Sequence, residues 1–131
     1  MSKTRTRVAK VNTVIVPVAE QEQAIAFYVD TLGLEKRADV PFEGDQYRWV
    51  EVAPEGADTT IAICPPGPKG QTGNKDTGIS LQVGDVDAYH AELKEAGVDV
   101  DAEVSRMGDP IPPMFWFRDP EGNSLMVVEV A

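Results

Sequence analysis

The sequence contains few side chains of the types that carry out nucleophilic chemistry. Its only cysteine is Cys64 and its only histidine is His90. A cysteine attacks as the thiolate and usually needs a basic partner such as histidine. Cys64 ends a β-branched stretch, whereas His90 stands among the charged residues of a helical pattern. We therefore predict that Cys64 is a small core or pocket residue and that His90 lies on a helix surface. A single cysteine also excludes an internal disulfide. The absence of disulfides is typical of proteins in a reducing cytoplasm.

Carboxylates offer a second kind of chemistry, as metal ligands or as general bases. Glu51, Asp109 and Glu129 could together form a carboxylate site, although their spacing does not require one. Acidic residues are abundant, since Asp and Glu number 22 against 12 Lys and Arg. The net charge is −10, and it is −14 without the four basic residues among the first ten. So acidic a chain repels phosphate backbones, and nucleic-acid binding is not expected.

The length and composition are typical of one folded domain. The chain has 131 residues, of which 42% are hydrophobic, enough for a core of its own. Residues 1–10 form a basic arm that we expect to be flexible. No apolar run is long enough for a signal peptide or a membrane span, so we expect a cytoplasmic protein with no membrane partner.

Strand and helix patterns alternate along the chain. Residues 11–18 are rich in β-branched residues and favour a strand. Residues 20–34 carry apolar residues at helical spacing, with Gly33 where a left-handed cap belongs. A second helix is predicted to begin after the N-cap residue Asp85 and to end at Gly97. Further strands are predicted at Tyr47–Ala53, Thr60–Cys64, 79–83, 101–107, 113–119 and 124–130. Residues 65–78, which are rich in Pro and Gly, form a connector.

Landmarks of the first half recur in the second half at nearly one offset. The pairs are strand ends (Val18 and Val83), helix ends (Gly33 and Gly97) and strand tryptophans (Trp49 and Trp116). Such self-similarity indicates a duplicated β-α-β-β-β unit. We predict an α+β fold over residues 11–130, with module 1 at about 11–64, a linker at 65–77 and module 2 at about 78–130.

Four stretches carry a resemblance to a known family. They are "VIVPV", "AIAFYVDTLGL", "GISLQVGDVDAYHAELKEAGV" and "FWFRDPEGNSLMVVE". The sequence resembles the vicinal oxygen chelate superfamily, which includes glyoxalase I, extradiol dioxygenases, fosfomycin-resistance enzymes and bleomycin-resistance binding proteins. The resemblance covers about residues 11–130 and implies two tandem βαβββ modules whose curled sheets form a deep cavity. It also implies a homodimer that completes the cavity, but it does not specify an activity, because the fold hosts several.

The resemblance also implies four metal-ligand positions in the cavity. In this sequence they fall on Thr13, Ala62, Gly78 and Met126. A divalent ion that polarises vicinal oxygens needs imidazole or carboxylate ligands, and these four residues supply neither. A misplacement by one residue would turn every side chain to the other face of its strand. We therefore predict no metal and no other cofactor.

Alternation along the strands predicts which side chains line the cavity. In residues 47–53, Val50 and Val52 suit the core, so Trp49 and Glu51 point to the cavity. The same reasoning assigns Phe115 and Phe117 to the core. The predicted apolar walls are Ile15, Trp49, Met114, Trp116 and Met126; the polar groups are Thr13, Ser80 and Gln82; the charged candidates are Glu51 and Arg118. Ala62 and Gly78 complete the lining. The two tryptophans could sandwich a planar ligand or simply fill the interior, and Arg118 is better explained by a surface or turn salt bridge.

This lining is typical of a small-molecule pocket. The leading hypothesis is metal-independent binding of a hydrophobic or aromatic molecule, for drug or metabolite sequestration of the bleomycin-resistance kind. The alternative is a glyoxalase-like lyase or isomerase, or a dioxygenase, with an unusual metal site or a carboxylate base. A structural or regulatory dimer with a collapsed cavity is a third possibility. The Pro- and Met-rich loop at 105–114 is predicted to be either a pocket rim or a dimer contact.

Overall fold

Two four-stranded sheets and two helical regions make up the described part of the chain, residues 5–42, 47–66 and 72–130 of a computed structural model. In chain order the elements are β1 (Thr13–Pro17), α1 (Gln21–Ile25) with a π-helical continuation (Ala26–Thr31), β2 (Glu35–Phe42), β3 (Tyr47–Ala53), β4 (Thr60–Cys64), β5 (Ser80–Val83), α2 (Val86–Glu95), β6 (Asp99–Val100), β7 (Met114–Arg118) and β8 (Ser124–Glu129). No helix in these ranges is long and apolar enough to span a membrane.

The two sheets repeat one topology. The first sheet, sheet A, has the order β1-β4-β3-β2, and the second, sheet B, has the order β5-β8-β7-β6. In each sheet the first strand pairs in parallel with the fourth, and the remaining pairs are antiparallel. This arrangement confirms the predicted α+β fold of two βαβββ modules.

Two strands differ from the sequence prediction. Strand β2 was not predicted, because half of its residues are charged and it includes Pro41. It lies at the edge of sheet A, where a proline costs no ladder hydrogen bond, and the register shifts between Lys36 and Ala38. The predicted strand at 101–107 is wrong, because β6 is only Asp99–Val100. Ser105 forms just an isolated bridge with Met114, which closes the base of the 105–114 loop.

The helix ends follow the predicted capping signals. The Asp85 carboxylate accepts a hydrogen bond from the Ala88 amide at 3.0 Å, which confirms Asp85 as the N-cap of α2. Gly33 and Gly97 have φ of 85° and 84° after their helices. Only glycine adopts this left-handed backbone readily, so both predicted C-terminal caps are confirmed.

Both sheets bury one face in a single core, to which the helices also contribute side chains. Phe27, from the π-helical segment, packs edge-on against Tyr28 and tilted against Phe117 of sheet B. Val50, Val52, Phe115 and Phe117 are fully buried, as predicted. The core further includes Val16, Leu32, Leu34, Ile61, Ile63, Val86, Leu93, Leu125 and Val127. Each sheet therefore turns its other face outward.

The turn between β7 and β8 joins the two modules. Its Asp119 is 5% exposed and accepts hydrogen bonds from the Tyr28 hydroxyl at 2.8 Å and from the Asn123 side-chain amide at 2.9 Å. The same Asn123 amide donates to the Pro17 carbonyl at 3.0 Å. Burial, followed by the negative charge of Asp119, raises the pKa of Tyr28 well above its usual range. The turn residues of module 2 thus hold β1 and the helix of module 1 in place.

Candidate functional site

The outer face of sheet A brings together five of the predicted site residues. Thr13 and Ile15 lie on β1, Trp49 and Glu51 on β3, and Ala62 on β4. Ala62 is the cross-strand partner of both Ile15 and Glu51. Alternate residues of a strand share a face, so these side chains form one continuous surface, which we call face A.

A chain of hydrogen bonds crosses face A and ends on Glu51. The Trp49 indole N–H donates to one Glu51 carboxylate oxygen at 2.6 Å, and the Thr60 hydroxyl donates to the other at 2.7 Å. The Thr13 and Thr60 hydroxyl oxygens are 2.7 Å apart, and the Asn12 side-chain amide donates to Thr13 at 3.2 Å. The bonds from Thr60 and Trp49 lower the pKa of Glu51. Face A therefore holds an ionised carboxylate at neutral pH.

Thr60 is a site residue that the sequence interpretation missed. It is 8% exposed and lies opposite Thr13 in the parallel pair of β1 and β4. Its position two residues before Ala62 was a usable signal, since alternation places both side chains on one face.

Apolar residues lie beside Glu51 on the neighbouring strands, where Ala38 and Ala62 are its cross-strand partners. Ile15 is 58% exposed and Val40, the cross-strand partner of Trp49, is 52% exposed. Trp49 and Glu51 are themselves half-buried. Exposed aliphatic and aromatic surface beside one oriented polar group is the usual composition of a small-molecule site.

The outer face of sheet B, which we call face B, carries the second group of predicted residues. Met126 is the cross-strand partner of Ser80 and of Trp116. Met114 follows along β7 on the same face. Ser80 is exposed, and the other three are half-buried.

The structure does not make Trp49 and Trp116 equivalent, although their spacing in the sequence suggested it. Ile15, Ala62 and Glu51 form one cross-strand row of sheet A, and Ser80, Met126 and Trp116 form the matching row of sheet B, so Trp116 takes the place of Glu51.

Arg118 forms ion pairs of 2.9 Å with both Asp99 and Asp101, and these two aspartates raise the pKa of its guanidinium. The structure thus shows a salt bridge for Arg118, as one of its two interpretations expected, with partners in and directly after β6 and not in the β7–β8 turn. The charge of Arg118 is neutralised on its own sheet.

Gly78 does not lie on face B with its predicted neighbours. Strand β5 begins at Ser80, and Gly78 precedes it with a φ of 74°. This left-handed backbone breaks the alternation that was expected to align Gly78 with Ser80 and Gln82.

Faces A and B lie on different sheets and look outward from one shared core. In the described ranges, no hydrogen bond joins a predicted residue of one face to a predicted residue of the other. A separate groove of about 720 Å³ lies between the modules, bordered by residues such as Leu32, Leu34, Ile79, Leu81 and Tyr89. Of the predicted residues, Gly78, Ser80 and Gln82 border it. The groove lacks both tryptophans and Glu51, so we place the candidate site on face A.

The four expected metal positions do not fit a divalent ion. The Thr13 hydroxyl is bonded to Thr60, the Ala62 side chain is fully buried and has no donor atom, and Gly78 has no side chain. Met126 offers only a thioether, a soft ligand unsuited to this chemistry. Within the described ranges, no three His, Cys, Asp or Glu side chains are grouped to hold a metal.

The three carboxylates considered as an unusual site lie apart. Glu51 belongs to face A, whereas a Glu129 oxygen accepts the Val86 amide at 3.0 Å at the start of α2. Asp109 is an exposed residue of the 105–114 loop. The structure therefore does not assemble the carboxylate cluster that the sequence left open.

His90 and Cys64 both have structural surroundings. His90 is half-buried rather than on a free helix surface, because its ring packs edge-on against Phe115 at 4.9 Å and its Nε2 lies 2.7 Å from the Asp101 carbonyl oxygen. Cys64 is 4% exposed, and burial raises the pKa of its thiol. Cys64 is thus a buried small residue, as predicted.

Comparison with known proteins identifies the family. Residues 10–127 match the Glyoxalase/Bleomycin resistance protein/Dioxygenase superfamily. The chain belongs to this superfamily. The match spans both modules and therefore the whole of faces A and B.

Two solved structures and one sequence relative are similar to this chain over almost its full length. TnmS3, an antibiotic binding protein from Streptomyces sp. CB03234, is 35% identical with a TM-score of 0.82, and the match covers 97% of this chain and 100% of that one. A superfamily member from Sphaerobacter thermophilus DSM 20745 is 36% identical with a TM-score of 0.85, covering 94% and 98%. The Bacillus subtilis (strain 168) protein YetH is 28% identical over 122 residues, which are 93% of this chain and 99% of that protein.

Proposed function

We propose that the protein binds a hydrophobic or aromatic small molecule on face A without using a metal ion, and so sequesters a drug or metabolite. The observation that carries this proposal is the Glu51 carboxylate, which Trp49 and Thr60 hold within an exposed apolar surface. An aromatic ring of a ligand can stack on Trp49, while the carboxylate orients the ligand. The similarity to TnmS3, an antibiotic binding protein, supports the same class of function.

The enzymatic alternative is less well supported by the site. A carboxylate that acts as a general base at neutral pH works best with a raised pKa. The hydrogen bonds to Glu51 instead lower its pKa, which makes it a weak base and a stable anion. This environment suits recognition of a ligand better than abstraction of a proton.

A second copy of the chain is the proposed partner that closes the site. Face A is an open surface in one chain, as the exposure of Ile15 and Val40 shows. Small-molecule sites usually enclose most of the ligand surface, so a single copy leaves the ligand half uncovered. Analytical ultracentrifugation should give about twice the chain mass of 14.2 kDa. A monomer at all micromolar concentrations would contradict the dimer but not the binding site.

Fluorescence titration tests the proposed function. Planar aromatic compounds should quench or shift the emission of the protein, and Trp49→Phe should remove most of this response. Trp116→Phe is the control, because it changes the other tryptophan of the chain, which lies on face B. No response to any aromatic compound, together with a face A covered by side chains in a crystal structure, would contradict the proposal.

Metal analysis tests the second half of the proposal. Protein purified without chelator should contain far less than one equivalent of Ni, Zn, Mn or Fe per chain. Stoichiometric metal that is needed for ligand binding would overturn metal independence.

A further inference from the structure

The direction of the hydrogen bonds on face A restricts what a ligand can offer. The Thr60 hydroxyl and the Trp49 indole both donate to Glu51. A hydroxyl has a single proton, so Thr60 can only accept from Thr13 at their 2.7 Å contact. The Thr13 hydroxyl therefore donates to Thr60 and accepts from Asn12. Every proton in this chain is directed toward Glu51.

Glu51 retains acceptor capacity beyond these two bonds. A carboxylate has about four lone-pair sites, of which Trp49 and Thr60 occupy one on each oxygen. Face A therefore presents free acceptor sites on Glu51 to a ligand. The Trp49 and Thr60 donors, which could otherwise bind an anionic or carbonyl group, are already used.

Glu51 also lacks a cationic partner among the described residues. All the ion pairs between these residues are formed by other aspartates and glutamates. By contrast, Arg48 and Arg118 each contact two carboxylates. A half-buried anion held only by neutral donors attracts a positive charge in the partly desolvated surroundings of a binding site. The adjoining Trp49 ring attracts cations as well.

We propose that the ligand carries a protonated amine or amidine attached to an aromatic ring, and that Glu51 binds this group while Trp49 contacts the ring. This inference rests on the proposed function and names the class of ligand. Anionic aromatic compounds are excluded from face A by the same carboxylate.

A matched series of naphthalenes tests the inference on the wild-type protein. The probes are 2-naphthylmethylamine, its N-trimethylammonium analogue, 2-naphthylmethanol and 2-naphthoate, with affinities taken from tryptophan fluorescence and calorimetry. The primary ammonium should bind about 10-fold or more tightly than the alcohol, because a charge-assisted hydrogen bond forms. The trimethylammonium compound, which cannot donate, should bind more weakly than the primary ammonium, and the carboxylate should bind worst.

Glu51→Gln should reduce the preference for the ammonium over the alcohol to about 3-fold or less, since the amide has no charge. Glu103→Gln is the control, because it removes the same charge from an exposed position and should leave the preference unchanged. The wild-type comparison stands even if the Glu51 variant fails to fold.

The outcomes separate this inference from the proposed function. Three results would overturn the role of Glu51 while leaving aromatic binding intact. They are equal affinity for the ammonium and the alcohol, an unchanged preference in folded Glu51→Gln, and tighter binding of the trimethylammonium compound than of the primary ammonium. If none of the naphthalenes binds, the proposed function itself fails.

Discussion

At the scale of single residues, Glu51 combines two properties that seldom occur together in a surface carboxylate. It is an oriented anion, and its hydrogen-bond donors among the described residues are the neutral Trp49 and Thr60 instead of lysines or arginines. Carboxylates elsewhere in the molecule, such as Asp39 and Asp99, have arginine partners, whose bonds lower the pKa of both acids. The pKa of Glu51 is lowered by neutral donors, so its charge remains available to a ligand.

The lowered pKa of Glu51 predicts how its contribution to stability depends on pH. The folded state binds the proton less tightly than the unfolded chain, whose glutamate has a pKa of about 4.3. The stabilisation is therefore complete above that value and is lost as pH falls through the lower folded pKa. Urea denaturation between pH 2.5 and pH 7 should show a wild-type advantage over Glu51→Gln that shrinks on acidification. Glu103→Gln serves as the control, and an advantage that grows on acidification would contradict the lowered pKa.

Met126→Glu restores an acid at one of the four metal-ligand positions expected from the family. We expect no stoichiometric binding of Zn, Ni or Mn, because Thr13, Ala62 and Gly78 still offer no ligand for such an ion. The nearest side chains across the strands remain Ser80 and Trp116. Isothermal titration calorimetry with each metal checks this, and tight binding by the single variant would show that the ligand positions were assigned wrongly.

At the scale of elements, the β7–β8 turn is a structural joint between the modules. Asp119 accepts hydrogen bonds from the Tyr28 hydroxyl, from the Asn123 side chain and from the backbone amides of Glu121 and Asn123. Glu121 in turn accepts the Ala19 and Glu20 amides at 2.7–2.8 Å. The most recognisable motif of the sequence thus connects the two halves of the fold.

Asp119→Ala should be strongly destabilising, because it leaves the buried Tyr28 hydroxyl and Asn123 amide without their acceptor. We expect a loss of about 2–4 kcal/mol in the free energy of unfolding, since an unsatisfied buried donor costs about 1–3 kcal/mol. Tyr28→Phe is the matched control, because it removes only one of these bonds and should cost about 1 kcal/mol. Urea denaturation measures both losses. A smaller loss for Asp119→Ala than for Tyr28→Phe would contradict the role of Asp119 in joining the modules.

The sequence predicted the elements whose signals are local. Asp85, Gly33 and Gly97 marked helix ends through capping chemistry, and alternation in Tyr47–Ala53 separated Val50 from Trp49. Strand β2 escaped prediction, because an edge strand tolerates charges and a proline that a central strand would exclude. The hydrogen bonds that link Glu51 to Thr60 and Thr60 to Thr13 were not predicted either. They depend on the pairing of β3, β4 and β1, which no local pattern specifies.

At the scale of the whole molecule, the two faces of each sheet have different tasks. The inner faces supply a core shared by both modules, whereas the outer faces carry the candidate site. The stability of the chain and its proposed recognition of a ligand therefore belong to opposite sides of the same strands.

Two isoleucines of sheet A test this division. Ile63→Ala removes a fully buried side chain and should cost about 2–5 kcal/mol of unfolding free energy. Ile15→Ala changes a side chain that is 58% exposed, so it should alter stability by only about 0.5 kcal/mol while weakening the binding of aromatic ligands. Urea denaturation and fluorescence titration of the two variants check this, and equal losses of stability would contradict it.

The divergence of one repeated position has a consequence for stoichiometry. Glu51 lies opposite Ala62 in sheet A, whereas Trp116 lies opposite Met126 at the matching place in sheet B, so the second module has an uncharged side chain where the first has a carboxylate. A duplicated fold would otherwise offer two similar sites in each chain. Here the internal symmetry is broken in favour of the first module, so we expect calorimetric titration to saturate at one ligand for each chain, whatever the number of chains in the assembly.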